Sequence, residues 1–228
     1  MTSSSVREGF DRIAEEYDAL KVRVIPGYRE VRALVDHYAA VPARTPARVL
    51  ELGLGTGEWA EGFLTRHPEV EFEVVDFSDR MRSIARRRLE PFRDRLRLHS
   101  TDLNDRLPQG CFDLVVSFFA LHHVREKSRL VAEVSSRLVE GGRFLWADIT
   151  AAEPPALEQL FLDDWVAFMR QAGLEEEGIS HVLQDHREND LPETVESQLG
   201  YMRRAGFDPA AVVWSHGKFV LFFGRRSP

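Results

Sequence analysis

Cysteine is nearly absent. Cys111 is the only one in 228 residues, which excludes an intramolecular disulfide and a cysteine-cluster metal site. A reducing compartment is the natural reading. Long hydrophobic runs are missing as well, and none approaches the roughly 18 to 20 apolar residues needed to cross a bilayer. Residues 1–10 are Ser-rich and carry Arg7 and Glu8 where a signal peptide would have an apolar core. We therefore expect a soluble, cytoplasmic protein with no membrane partner. Positive charge is in deficit, with 30 Lys and Arg against 37 Asp and Glu and a formal net charge of −7. Nucleic-acid binders present a basic face, so no nucleic-acid partner is expected. The remaining composition, 43% hydrophobic and 29% charged, is ordinary for a globular chain. The length suits one α/β domain with an elaboration.

The middle of the chain alternates short β-rich runs with helical patterns, the signature of a parallel sheet with crossover helices. Strands are predicted at 48–52, 72–76, 96–98, 112–117 and 143–149. Helices follow the first two, to about Arg66 and Leu89. Another spans 127–139, stopped by Gly141 and Gly142. Residues 153–190 read as helical, with apolar Leu157, Leu160, Phe161, Trp165, Phe168 and Met169. A last helix runs over 193–204 and ends at Ala205-Gly206. Runs at 211–214 and 219–223 flank Ser215-His216-Gly217-Lys218 and read as a hairpin. The first 45 residues look helical. We expect one domain over 1–228, with a helical extension at 1–45 and a helical cap inserted at 153–190.

The segment Glu51-Leu52-Gly53-Leu54-Gly55-Thr56-Gly57 leaves a strand and opens a helix. Glycines there let the backbone turn sharply and let a ligand come close. Asp76 ends the second strand, where a carboxylate can accept both hydroxyls of a ribose. Thr101-Asp102-Leu103 follows the third strand, where Asp102 can accept from an adenine amino group or simply cap a turn. A nicotinamide or flavin fingerprint spaces its glycines as G-x-G-x-x-G. Here the third glycine, Gly57, comes one position early, and Glu58 stands in its place.

From about residue 45 to 224 the sequence resembles a class I S-adenosylmethionine-dependent methyltransferase. The family's acidic residue followed by Gly-x-Gly-x-Gly matches Glu51, Gly53, Gly55 and Gly57. Its second-strand acidic residue matches Asp76, followed by Phe77-Ser78-Asp79-Arg80-Met81 beside the adenine. Its adenine-side aspartate matches Asp102, between Thr101 and Leu103. Ser117-Phe118-Phe119-Ala120-Leu121-His122-His123 resembles its fourth motif. The segment from Phe10 to Asp18 resembles an element that closes over the cofactor in the ubiquinone-biosynthesis-like branch, with Tyr17 as the candidate contact. The resemblance implies a Rossmann-like, doubly wound α/β sheet of seven strands in the order 3-2-1-4-5-7-6 with the last strand antiparallel. It also implies S-adenosyl-L-methionine as cofactor and a small-molecule acceptor.

Acceptor groups are expected at the carboxyl ends of the strands: Ser117 to His123, Asp148, and the hairpin turn with His216 and Lys218. His122 matches the general base of plant-type O-methyltransferases, although that branch continues with Asp-Trp where this chain has His123-Val124. Trp165, Phe168 and Met169 either line the cap or pack on the domain. Residues 153–196 hold twelve acidic residues and two Arg, which disfavours polyanionic acceptors. The arginines from Arg80 to Arg97 read as the exposed side of a crossover helix. His181, Asp185 and His186 lack the spacing of a facial metal triad and read as surface residues, so no metal is expected. Two other classes stay open: a carboxy-S-adenosylmethionine synthase-like enzyme, and a cofactor-binding protein without activity.

Overall fold

Val49, Leu50 and Leu52 are wholly buried, the pattern of a central parallel strand covered on both faces. They belong to β1 (Arg48–Leu52), which pairs in parallel with β2 (Glu71–Asp76) on one side and β4 (Phe112–Phe118) on the other. Outside β2 lies β3 (Leu96–Ser100), also parallel. Outside β4 lie β5 (Leu138–Ile149), then β7 (Phe219–Arg226), antiparallel to it, and last β6 (Phe207–His216). The seven-stranded order is β3-β2-β1-β4-β5-β7-β6, as expected. The molecule is a computed structural model that describes residues 3–40 and 46–227. The expected extension at 1–45 lies partly outside those residues.

The extension forms α1 (Ser3–Ile13), α2 (Tyr17–Val24) and α3 (Tyr28–Ala39). In α3, Val31, Val35 and Ala39 recur every four residues and are buried in one core with Val49, Val74 and Leu114. The crossover helices are α4 (Glu58–Arg66), α5 (Asp79–Arg88) and α6 (Lys127–Arg137). The segment at 153–190 is two helices, α7 (Pro155–Gln171) and α8 (Glu176–Asn189), broken by Gly173 at φ +79°. The chain closes with α9 (Val195–Arg204), capped by the Thr194 side chain. The second face of the sheet, with Leu50, Leu52, Phe144 and Phe222, is covered by α6 and α9.

One boundary differs from expectation. The helix stops at Arg137, not at Val139, and Gly141-Gly142 lie inside the β5 run. Leu138 is already paired with Phe112, and a register shift follows before Leu114 meets Arg143. Strand pairing overrides the local stop signal, and the glycines serve an irregularity in the strand. The arginine stripe is structural, as expected, but more tightly tied down than an exposed face. Arg95 donates to the carbonyls of Leu64, His67 and Val70, Arg82 to that of Asp76, and Arg88 to that of Thr56.

Candidate donor cavity and acceptor chamber

Three glycines in seven residues make the turn after β1. Gly53, Gly55 and Gly57 take φ of +81°, +56° and +78°, a region that side-chain-bearing residues rarely enter. At Gly53 space excludes a side chain too, since a Cβ would lie 2.5 Å from that of Ala120. The turn is stapled to β2, with Gly53 N–H donating to the Val75 carbonyl at 2.9 Å. Asp76 completes it: one carboxylate oxygen accepts from Gly55 N–H at 2.9 Å, the other from Ser78 N–H at 2.8 Å. Burial pushes this acid up to about 6, and those two hydrogen bonds hold it from rising further.

A cavity opens between this turn, the ends of β2 and β3, and the segment after β4. Its walls include Gly53, Gly55, Asp76, Phe77, Met81, Thr101, Asp102 and Leu103, all proposed from sequence. Tyr17 of α2 is also in the wall. Asp102 accepts from both the backbone and the side-chain amide of Asn104. Three expected residues stand behind the wall. Ser117 is wholly buried and donates to the Leu52 carbonyl at 2.9 Å. Gly57 packs near Leu89 and Ala85. Glu51 is 2% exposed, and its Oε2 has no hydrogen-bond partner. Burial drives its acid well above the usual range.

The α1–α2 segment is fastened over the cavity by carboxylates. Asp11 accepts from the Ser78 hydroxyl at 2.6 Å and from Arg80 N–H at 3.1 Å, at the start of α5. Asp18 accepts from Thr56 at 2.5 Å and from Arg88 at 2.8 Å. Asp18 is also paired with Lys21 at 2.7 Å. These partners hold its carboxyl down at about 2 despite partial burial. Phe10 meets the rings of both Tyr17 and His123 edge-on.

A second chamber adjoins the first and shares Phe10, Tyr17, Phe119 and His123 with it. Phe119 has φ +52°, alone among the described non-glycine residues in taking a positive value. Such backbone strain concentrates at functional positions. Trp165 lines the chamber and donates to the Val24 carbonyl at 2.7 Å. Phe168 and Met169 are outside the lining and pack in the core instead. A wider groove leads outward between α1, α2 and α8 past Glu8, Arg12, Asp185 and Glu188.

The histidines are arranged differently from the sequence expectation. His122 lines the chamber but not the donor cavity, whereas His123 lines both. His122 Nδ1 is held 2.5 Å from Asp148, which also accepts from Trp146 Nε1 at 2.8 Å and from Ile149 N–H. On its other side His122 Nε2 is 3.6 Å from Asp190. Burial opposes charge on this ring, and the two flanking carboxylates outweigh it and raise its pKa. His123 is pushed down to about 4 by burial and by His122. Neither ring is a free base poised near neutrality. His186 is not a surface residue: Asp190 contacts its Nδ1 at 2.6 Å and Lys218 its Nε2 at 3.0 Å. The ammonium of Lys218 is also bonded to Glu158. His181 is exposed, as expected. Sequence reasoning missed Asp190, whose position beside His122 has no local signature. Asn104, also in the cavity wall, was missed for the same reason.

A family model described as "Methyltransferase domain" matches residues 49–142. The chain is 21% identical over 218 residues to a carboxy-S-adenosyl-L-methionine synthase of Campylobacter hominis, covering 95% of this chain and 93% of that one. It is 30% identical over 162 residues to a demethylmenaquinone methyltransferase of Deinococcus radiodurans, covering 69% and 64%. Its fold is similar to that of an O-methyltransferase family protein from Burkholderia thailandensis, with a TM-score of 0.63 at 21% identity. That match covers 99% of this chain and 60% of the other, so the chain spans under two thirds of the latter two proteins.

Proposed function

The chain belongs to the class I S-adenosylmethionine-dependent methyltransferases, and from that premise we propose that it transfers the methyl group of S-adenosyl-L-methionine to a small molecule held in the chamber under α8. The observation that carries this reading is the junction of two cavities at Phe10, Tyr17, Phe119 and His123. A donor on one side and an acceptor on the other would meet there. The residues present fit the donor. Asp76 stands where ribose hydroxyls need an acceptor, with apolar Val75, Phe77, Met81 and Leu103 around it and Asp102 at the adenine end. Glu51, buried behind the turn, keeps one oxygen without a hydrogen-bond partner.

The bound sulfonium supplies an electrophilic methyl carbon. The chain's own task is then to align a nucleophile with it and keep water out. Phe119 and Tyr17 set the approach, and α1 and α2 cover the donor. The groove carries Glu8, Asp185 and Glu188 against Arg12 and Lys21, with no cationic excess to draw in a polyanion. His122 is clamped between carboxylates, and we assign it to holding the chamber floor rather than to general base catalysis.

The carboxy-S-adenosylmethionine synthase reading is supported by an alignment covering nearly the full length of that relative. Against it, no Arg or Lys is among the residues lining either cavity, and a carboxylated sulfonium calls for a cationic partner. Product analysis separates the two. The protein is incubated with methyl-labelled donor and a small-molecule extract, and the products are read by mass spectrometry. Label in an extract compound together with S-adenosylhomocysteine is expected. Donor consumption yielding only a carboxylated sulfonium would replace this reading with the second.

A further inference from the structure

Methyl transfer as described gives one cluster at the chamber floor no chemical step. His122 and His123 sit in the 3₁₀ turn after β4, and Asp190 directly follows α8. The geometry points to a mononuclear divalent transition-metal site built from these three residues at the floor of the acceptor chamber.

One ligand-type atom from each residue lies within 4.8 Å of the other two. His122 Nε2 is 3.6 Å from Asp190 Oδ1, and His123 Nδ1 is 3.3 Å from the same oxygen. Ligands held about 2.1 Å from a tetrahedral ion stand about 3.4 Å apart, so these pairs are near the required spacing already. His123 Nδ1 also faces the Asn189 carbonyl at 3.1 Å. Ligation through Nδ1 exchanges that contact for the metal and moves the ring proton to Nε2.

Partners outside the cluster aim the ligands. Asp148, wholly buried, holds Nδ1 of His122 and leaves Nε2 facing Asp190. His186 holds Oδ2 of Asp190 and leaves Oδ1 facing the two histidines. Metal-bound imidazoles are oriented in this way, with a carboxylate on the second nitrogen. Two imidazoles and one carboxylate with open positions suit Fe²⁺, Co²⁺, Ni²⁺ or Zn²⁺.

All three ligands line the chamber that also holds Phe119 and Trp165. Open positions on the ion would therefore face the acceptor. A hydroxyl oxygen there would be bound and its proton affinity lowered, which selects hydroxyl compounds as acceptors. That last step rests on the methyl-transfer reading; the metal site does not.

The test uses the full-length protein, stripped with chelator and titrated with Co²⁺. The expected result is about one equivalent bound, with visible d–d bands of a low-symmetry ion that Zn²⁺ displaces. Asp190→Asn and His123→Gln should abolish the bands. Asp148→Asn should weaken binding about 10- to 100-fold, and His37→Ala on the exposed face of α3 should change nothing. Binding of S-adenosylhomocysteine, measured on each variant, reports whether the fold and donor site survive. Protein that binds S-adenosylhomocysteine but gives no Co²⁺ bands overturns the proposal, as do bands that persist in both ligand variants. Bands in protein that never binds S-adenosylhomocysteine would sink the methyl-transfer reading and leave the metal site standing.

Discussion

On the proposed reading Asp76 holds the donor ribose, and it then has two opposed pH dependences. Burial raises its acid from 3.8 to about 6. The folded, empty protein therefore keeps this proton to higher pH than the unfolded chain. Its contribution to stability is present below 3.8 and is lost as pH rises through about 6. Ribose hydroxyls favour the ionised carboxylate, so donor affinity runs the other way and weakens as pH falls through the same window. Calorimetry with S-adenosylhomocysteine between pH 5 and 7.5 should show affinity falling toward the acid side, about tenfold per unit below the apparent pKa. An Asp76→Ala variant should bind far more weakly and lose this slope. A wild-type profile that is flat across the window would remove Asp76 from the donor site.

Gly55 is the second position to test at this scale. Its φ of +56° disfavours any side chain, and a Cβ would lie 3.4 Å from the Tyr17 ring. Gly55→Val, β-branched in left-handed backbone beside the cavity, should abolish S-adenosylhomocysteine binding. Thermal unfolding should still be cooperative. Unchanged affinity would mean that the donor does not approach this turn.

Among the elements, the α1–α2 segment is held by few and specific ties. Asp11 sits at the start of α5, and Asp18 joins Thr56, Arg88 and Lys21. Much of the rest of α1 is exposed or half-buried, so its docking depends on these carboxylates. Asp11→Ala combined with Asp18→Ala should speed amide exchange over residues 6–20 and accelerate donor dissociation about tenfold or more, leaving the sheet protected. Equal exchange in variant and parent would show that apolar contacts of Val6 and Phe10 hold the segment instead.

At the scale of the whole molecule, the cap is joined to the sheet rather than laid upon it. Trp165, Met169 and Ile179 are buried in the same core as Val116, Leu145 and Leu221. Lys218, in the turn before β7, reaches Glu158 of α7 and His186 of α8. Replacing residues 155–188 with a linker should therefore expose core and abolish cooperative unfolding along with donor binding. Met169→Ala should cost about 2 to 5 kcal/mol, whereas Leu160→Ser, at a position 53% exposed, should fall within about 0.5 kcal/mol. Denaturant melts of both variants check this. A small loss at Met169 would mean that the cap is an independent cover.

Local sequence determined the alternation of strands and helices, the glycine turn, the carboxylate at the end of β2 and the Thr101-Asp102-Leu103 segment. Each of these depends on neighbours a few residues apart: glycines that permit positive φ, apolar residues at strand or helix period, a side chain at a strand's carboxyl end. The strand order came through resemblance to a family, since periodicity alone cannot say which strand lies beside which. Tertiary structure alone decided the rest. Glu51, Gly57 and Ser117 belong to the motifs yet stand behind the cavity wall, because strand pairing and packing turn them away from it. His186, which reads as a surface histidine on an acidic helix, is drawn inward by Lys218 and Asp190. The meeting of His122 and His123 with Asp190 has no sequence signature, because it arises only when α8, the second helix after β5, folds back over the carboxyl end of the sheet. Local conformational preference acts over a few residues, whereas a chamber assembled from β4, β5, α8 and the hairpin is specified by burial and charge pairing across the whole chain.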